Sequence, residues 1–402
     1  MLLELHLIQN FAPANLNRDD TNAPKDCDFG GFRRARISSQ CLKRALRDTF
    51  SQSLGDLIPN NNLAVRTNQL VNEVVKRLQE QGKLDEQSRA IVEMVLESVK
   101  LKVKEGSKTA YLLFLGKEEI NRLVALCEEH WETLVKLIPD SANKPDAGAK
   151  KDKAKGKDKE AKEALPKEIS SAMSNLMDGG KAVDLALFGR MLADLPEKNI
   201  DAACQMAHAI STNKVSTEFD FFTAVDDLAN AHDQQGAGML GTIEFNSACF
   251  YRYANIDIEQ LNSNLGKDQD LTLKSLEAFV RGSIQAIPTG KQNSMAAQNP
   301  PSFVMVVLRK SGLWSLANAF LKPVRVKQDA HLDLATESTK ALTDYWGKLV
   351  NTYGDDEIIG KWFISLESDQ LPNSPLSDAQ VGNLATLVKN LMEQLKNGNG
   401  GH

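Results

Sequence analysis

Long hydrophobic runs are missing from this sequence. No stretch approaches the ~20 apolar residues that a membrane-spanning helix needs. The opening residues Leu2, Leu3, Glu4, Leu5 and His6 lack the basic start and cleavage site of a signal peptide. The expectation is therefore a cytoplasmic protein with no membrane partner. Cysteine is scarce: Cys27, Cys41, Cys127, Cys204 and Cys249 are odd in number and form no CxxC pair. That pattern fits reduced, buried thiols better than a disulfide framework.

The usual catalytic signatures are missing as well. There is no Walker-type phosphate loop and no serine-centred nucleophile elbow. His6 and His208 are far apart and pair with no cysteine at zinc-ligand spacing, so they read as ordinary strand histidines. Neither a metal nor any other cofactor is expected.

One further absence is local. The net charge is −5, which by itself speaks weakly against nucleic acid, yet from Phe29 to Arg47 there is no acidic residue at all. The same window holds Arg33, Arg34, Arg36, Lys43, Arg44 and Arg47. Six cations without a local acid on a mildly acidic chain describe a localised anion site rather than a general polycation.

Periodicity supplies the elements. Leu3, Leu5 and Leu7 alternate in a first strand over 2–8, and 10–36 reads as a loop. Ser38 is placed to cap a helix running to about Phe50, with Leu42, Ala45, Leu46 and Thr49 as its apolar stripe. Gln40, Lys43, Arg44 and Arg47 follow at i, i+3, i+4 and i+7 and share one face. Like charges at that spacing repel, and an anion relieves them. The three arginines before the helix lead to its N-terminus, where free backbone N–H groups and Ser38 and Ser39 favour negative charge. Such groups grip phosphates and position a nucleic acid without reading its sequence.

Helical stripes then run through Leu63, Leu70, Val74 and Leu78, through Ile91, Val95 and Val99, and through Ile120, Leu123, Val124, Cys127, Trp131 and Leu134. Between Ser141 and Pro166 the chain collapses into Lys, Ala, Asp and Gly, a composition expected to stay disordered. Strand alternation returns at Val183, Leu185 and Leu187, at Cys204–Ile210 and at Thr242–Ile256. A helix over 271–284, a strand over 303–308 and helical stretches at 313–320, 336–353 and 378–395 complete the chain. Residues 213–241 exceed an ordinary hairpin turn and carry Phe219, Phe221 and Phe222, side chains suited to wedging between bases or to packing on the protein itself.

The core order is strand, helix, strand, strand, helix, strand, which predicts an α+β, ferredoxin-like (RRM-like) βαββαβ fold. The third strand lacks the aromatic signature by which RNA-recognition sheets stack bases, which moves binding to the loops and the first helix.

Three runs carry a resemblance. They are Leu16-Asn17-Arg18-Asp19-Asp20 with Phe29-Gly30-Gly31 and Arg33 to Gln40; Ala207-His208-Ala209-Ile210 through Asp220-Phe221-Phe222 to Leu228; and Phe250-Tyr251-Arg252-Tyr253-Ala254-Asn255-Ile256. Weaker agreement continues from Lys291-Gln292 to Asn299-Pro300. Together they resemble the CasC backbone subunits of type I-E CRISPR Cascade complexes, within the RAMP superfamily. The resemblance implies a hand-like subunit: a palm in 1–59, 178–211 and 242–402, helical fingers in 60–177 with the lysine-rich loop 141–166, and a hairpin thumb in 212–241. It implies copies polymerised as a helical filament along a crRNA guide, other Cascade subunits as partners, and target DNA recognised through the guide. Asn17, Arg18, Arg33, Arg34, Arg36, Ser38, Gln40, Lys43, Arg44, Arg47 and Lys291 are the expected RNA-binding residues. Met191 and Phe222 are the expected wedge, and no catalytic residue is expected. The alternative is a metal-dependent target-RNA nuclease of the type III kind, using Asp19, Asp20, Asp26 or Asp28 near the first strand.

Overall fold

A computed structural model describes residues 1–138, 165–224, 239–326, 333–366 and 375–398. The chain begins β1 (Leu2–Ala14), β2 (Asp26–Phe29), β3 (Phe32–Ile37), α1 (Ser39–Ser53), β4 (Ala64–Thr67), α2 (Leu70–Glu80) and α3 (Asp85–Ser98). It continues β5 (Val103–Lys104), β6 (Lys108–Thr109), β7 (Leu113–Gly116), α4 (Lys117–Glu129), α5 (Trp131–Val135), α6 (Lys167–Leu176) and α7 (Val183–Phe188). Then come β8 (Cys204–Met206), β9 (Ala209–Ser211), β10 (Glu218–Ala224), β11 (Met239–Asp257), α8 (Ile258–Asn264), α9 (Gln269–Gln285) and α10 (Gln292–Met295). The last elements are β12 (Phe303–Arg309), α11 (Leu334–Tyr353), β13 (Ile358–Ser365) and α12 (Leu384–Gly398). The fold is mixed helix and sheet.

Two compact units divide the chain: Met1–Leu57 with Cys204–Glu259 and Gln269–His402, and Ile58–Ala203 with Gln260–Asp268. The expected boundary after 177 therefore moves. Residues 178–203 fall with the helical insertion, because Arg190 and the 179–182 turn bond to α4 and its neighbours.

The first unit is built on an antiparallel sheet in the order β13-β12-β1-β11-β9-β3-β2, with β8 and β10 also paired to β11. Leu3, Leu5 and Leu7 are buried along β1, and the intervening Glu4, His6 and Ile8 are buried too. The central strand is thus covered on both faces, which a simple one-sided alternation does not convey. On one face α1 and α9 pack together: a Cβ at Gly282 would lie 2.6 Å from Leu46. On the other, Ile8, Tyr251, Phe303, Met305 and Phe320 share a core with Leu342 and Trp346 of α11. Two polar pairs lie inside that face: Tyr253 donates to Glu4 at 2.8 Å, and His6 Nδ1 meets the Tyr251 hydroxyl at 2.9 Å. Burial, with the Arg309 charge, holds the His6 pKa down at about 3, so the ring is neutral.

Several expectations change. The 10–36 loop contains the β2–β3 hairpin, and β1 runs on to Ala14. Gly30 turns that hairpin at φ +62°, with the Leu321 carbonyl only 2.1 Å from where a Cβ would stand. Val183–Phe188 is a helix, not a strand; its apolar residues are buried all round, so the alternating Val183, Leu185 and Leu187 do not define a face. Leu63 lies outside α2, and β13 is an additional edge strand beside β12. Helix 313–320 shrinks to a short turn over Ala317–Phe320. The lysine-rich expectation over 141–164 lies outside the described residues.

The second unit is helical around Leu70, Val74, Leu78, Ile91, Val95 and Leu123, with the small β4–β7 and β5–β6 pairs beside it.

Candidate nucleic-acid interface

One corner of the first unit gathers most of the expected binding residues. Beyond β1 the chain bends at Asn17, whose side-chain oxygen accepts from the Ser38 backbone N–H at 2.8 Å, while its carbonyl accepts from Lys25 N–H at 2.8 Å. Ser38 in turn caps α1, its hydroxyl accepting from Cys41 N–H at 3.3 Å. Asn17 Oδ1 and the hydroxyl of the buried Ser38 therefore shape the corner. Arg18 stands exposed in the following turn. Asp19 closes that turn by accepting from the backbone and hydroxyl of Thr21 and from Ala23 N–H. The Thr21 hydroxyl is the first cause holding the Asp19 carboxyl below its usual value.

Lys291 joins the same corner from far along the chain. The neighbouring Gly290 packs on the backbone of Asn15 and Leu16, where a Cβ would meet the Leu16 carbonyl at 2.4 Å. Lys291 itself adopts a left-handed φ of 53°, unusual for a non-glycine residue.

Helix α1 turns Leu42, Ala45, Leu46 and Phe50 inward and leaves Gln40 and Arg44 exposed, with Lys43 and Arg47 partly exposed on the same side. Arg44 reaches Asp48 at 3.9 Å, an exposed i,i+4 pair of small energetic weight.

Two of the arginines that precede α1 depart from the expected open cationic cluster. Arg33 is exposed but paired across the hairpin with Asp26 at 2.7 Å and Asp28 at 3.7 Å. These acids precede the basic window in sequence and are brought back by the β2–β3 register. Arg34 is corrected outright as a phosphate contact. Its side chain is fully buried and donates to the carbonyls of Ser211, Thr212, Phe320 and Leu321. Arg36 points into the corner, with Nε on the Asp26 carbonyl at 3.2 Å and Nη1 on His208 Nδ1 at 2.8 Å.

Two residues at this corner escaped the sequence reading. Lys25 lies outside the acid-free window, but its charge acts on Asp19, Cys41 and His208. By its alternation His208 falls inside one strand, whereas that strand breaks into β8 and β9 and leaves His208 exposed in the gap. The Ala-His-Ala sequence between alternating residues gave no periodic signal of that break.

The β10–β11 hairpin pairs Glu218 with Phe245 through Ala224 with Met239. Phe219 and Phe221 project from one side, 67% and 64% exposed. Phe222 lies on the other, 37% exposed, with its ring across Gly241, where a Cβ would be 2.3 Å from Cζ. The hairpin tip, 225–238, lies outside the described residues. In the second unit Met191 is 81% exposed.

A sequence profile of the CT1975-like protein family matches residues 3–391. The chain belongs to that family. Among solved structures, the family member described here is similar to a chain of a "CRISPR RNA-guided surveillance complex, pre-nicking", at TM-score 0.79 and 29% identity, covering 98% of this chain and 99% of that one. It is also similar to a chain of a second "CRISPR RNA-guided surveillance complex", at TM-score 0.69 and 26% identity, covering 98% and 99%. Among proteins with curated descriptions none matches the chain.

Proposed function

We propose that this CT1975-like chain is a non-catalytic backbone subunit of a CRISPR surveillance complex of the type I-E Cascade kind. In this reading it binds guide RNA, polymerises along it and presents it for base pairing with target DNA. The observation that carries the reading is the cationic corner: Arg18, Lys25, Arg36 and Lys291 surround the start of α1, and Lys43, Arg44 and Arg47 continue along it. Cations of this kind on loops and a helix face hold a phosphate backbone and leave base edges free. The strand order β12-β1-β11-β9, with α1 and α9 packed on one face, supports a ferredoxin-like palm. The two-stranded β10–β11 arm with its exposed phenylalanines supports a thumb that carries Phe222 as a wedge, and the exposure of Met191 supports a wedge role for that residue in the second unit. Full-length similarity to chains of surveillance complexes supports crRNA, further copies of this chain and other complex subunits as partners.

The test is binding of single-stranded RNA to the full chain by fluorescence anisotropy across a salt series. If about five phosphates are neutralised per subunit, raising salt from about 50 to 200 mM weakens binding about 100-fold. Replacing Lys43, Arg44 and Arg47 together by Ala should flatten the log–log slope by about 2. A triple variant with the slope of the unmodified chain would place the RNA elsewhere.

A further inference from the structure

We propose that His208 is a phosphate ligand of this corner, binding the RNA backbone together with Arg36 and taking up a proton as it does so. The inference rests on the RNA-binding reading above. Its starting point is the contact between two potential cations. Arg36 Nη1–H donates to His208 Nδ1 at 2.8 Å. A guanidinium only donates, so the Nδ1 it faces carries no proton and the free imidazole is neutral. Both side chains lie at the gap between β8 and β9, beside the Asn17 and Ser38 corner, and the His208 ring is exposed.

Two cations act on His208. Arg36 reaches it from β3 and Lys25 from the segment before β2, and both disfavour a charged ring. Asp26, the hairpin acid that Arg36 also contacts, is engaged by Arg33 through its carboxylate and by Arg36 through its carbonyl. With partial burial as the first cause, His208 is held below its ordinary pKa. A phosphate entering between Arg36 and His208 opposes both cations with a negative charge. Arg36 then donates to phosphate oxygen rather than to Nδ1, and the freed nitrogen takes a proton from solvent. The resulting imidazolium donates to the same anion. The pKa of His208 thus rises on binding, so RNA affinity increases as pH falls toward the free-state value. Below that value both states carry the proton and the gain levels off.

The experiment measures affinity of the full chain for a fluorescein-labelled single-stranded RNA of mixed sequence between pH 8 and 5.5 at fixed ionic strength. The comparison is His208→Gln, which keeps an acceptor for Arg36 and takes no proton. The unmodified chain should bind about fivefold or more tightly at pH 5.5 than at pH 8, within the tenfold-per-unit ceiling for one linked proton. His208→Gln should lose most of that gain. An equal rise in both proteins, or no rise in the unmodified chain, overturns the role of His208. RNA binding that is absent at every pH and salt concentration overturns the underlying functional reading instead.

Discussion

Arg190 donates from a single nitrogen, Nη1, to both carboxylate oxygens of Glu119, at 2.8 and 2.9 Å, with both side chains buried. The same carboxylate accepts from the Gly116 and Gly179 N–H groups at 2.7 Å each, and Arg190 Nη2 reaches the carbonyls of Met177 and Lys198. The backbones of Arg190 and Ile200 exchange two hydrogen bonds, and Leu192 N–H donates to the Asn199 side chain. Met191 stands between these fixed neighbours. Its exposure is therefore a built feature, which suits a residue proposed to wedge into stacked bases.

Glu119→Gln should expose how much of the second unit depends on this pair. The glutamine preserves volume but leaves the Arg190 charge buried without its counter-ion. Breaking a buried pair from one side costs about 3 kcal/mol or more. Urea denaturation of the full chain, followed in the transition that reports this unit, should show that loss. A change below about 1 kcal/mol would mean that Arg190 finds water or another acceptor.

Arg34→Met should separate structural from binding arginines. Of the four carbonyls that Arg34 meets, that of Thr212 also accepts from Val324 N–H, so losing the guanidinium strands the other three, at 211, 320 and 321. At about 1 kcal/mol or more for each stranded group, the expected destabilisation is roughly 3 kcal/mol. Measured where the variant is still folded, the salt slope of RNA binding should match that of the unmodified chain. A flattened slope would return Arg34 to the RNA-contacting set.

Much of the fold is legible in the sequence because its central strands and helices bury periodic faces: Leu3, Leu5 and Leu7 in β1, and Leu42, Ala45, Leu46 and Phe50 in α1. Legibility fails where the signal is short or non-local. The β2–β3 hairpin is rich in charged residues and alternates only over Asp26–Phe29 and Arg34–Ile37, too short a run to stand out, and α7 is too short for a period to separate helix from strand. The binding corner divides in the same way. Its helical cations follow from spacing alone, whereas Arg34 looks like its neighbours until carbonyls roughly 180 and 290 positions away come to meet it. Lys25 and His208 become part of the corner only through tertiary placement, and no local pattern marks either one.

The acids near the first strand invite the alternative of a metal-dependent RNase, and their engagements argue against it. Asp26 and Asp28 sit on β2 and both reach Arg33 of β3, whose guanidinium offsets about half of their charge. Such an exposed pair is weak, about 1 kcal/mol or less, and alone would yield to a metal. Hard divalent ions, however, are held by oxygen ligands converging from several groups. Asp19 is committed to three hydrogen bonds in its own turn, which leaves it turned toward its own backbone rather than toward Asp26 and Asp28 as a shared ligand set. The full chain, incubated with guide and complementary RNA in Mg²⁺ or Mn²⁺, should therefore leave the RNA intact on a denaturing gel. Cleavage that disappears in Asp26→Ala or Asp28→Ala would establish the carboxylates as catalytic and replace the binding-only function proposed here.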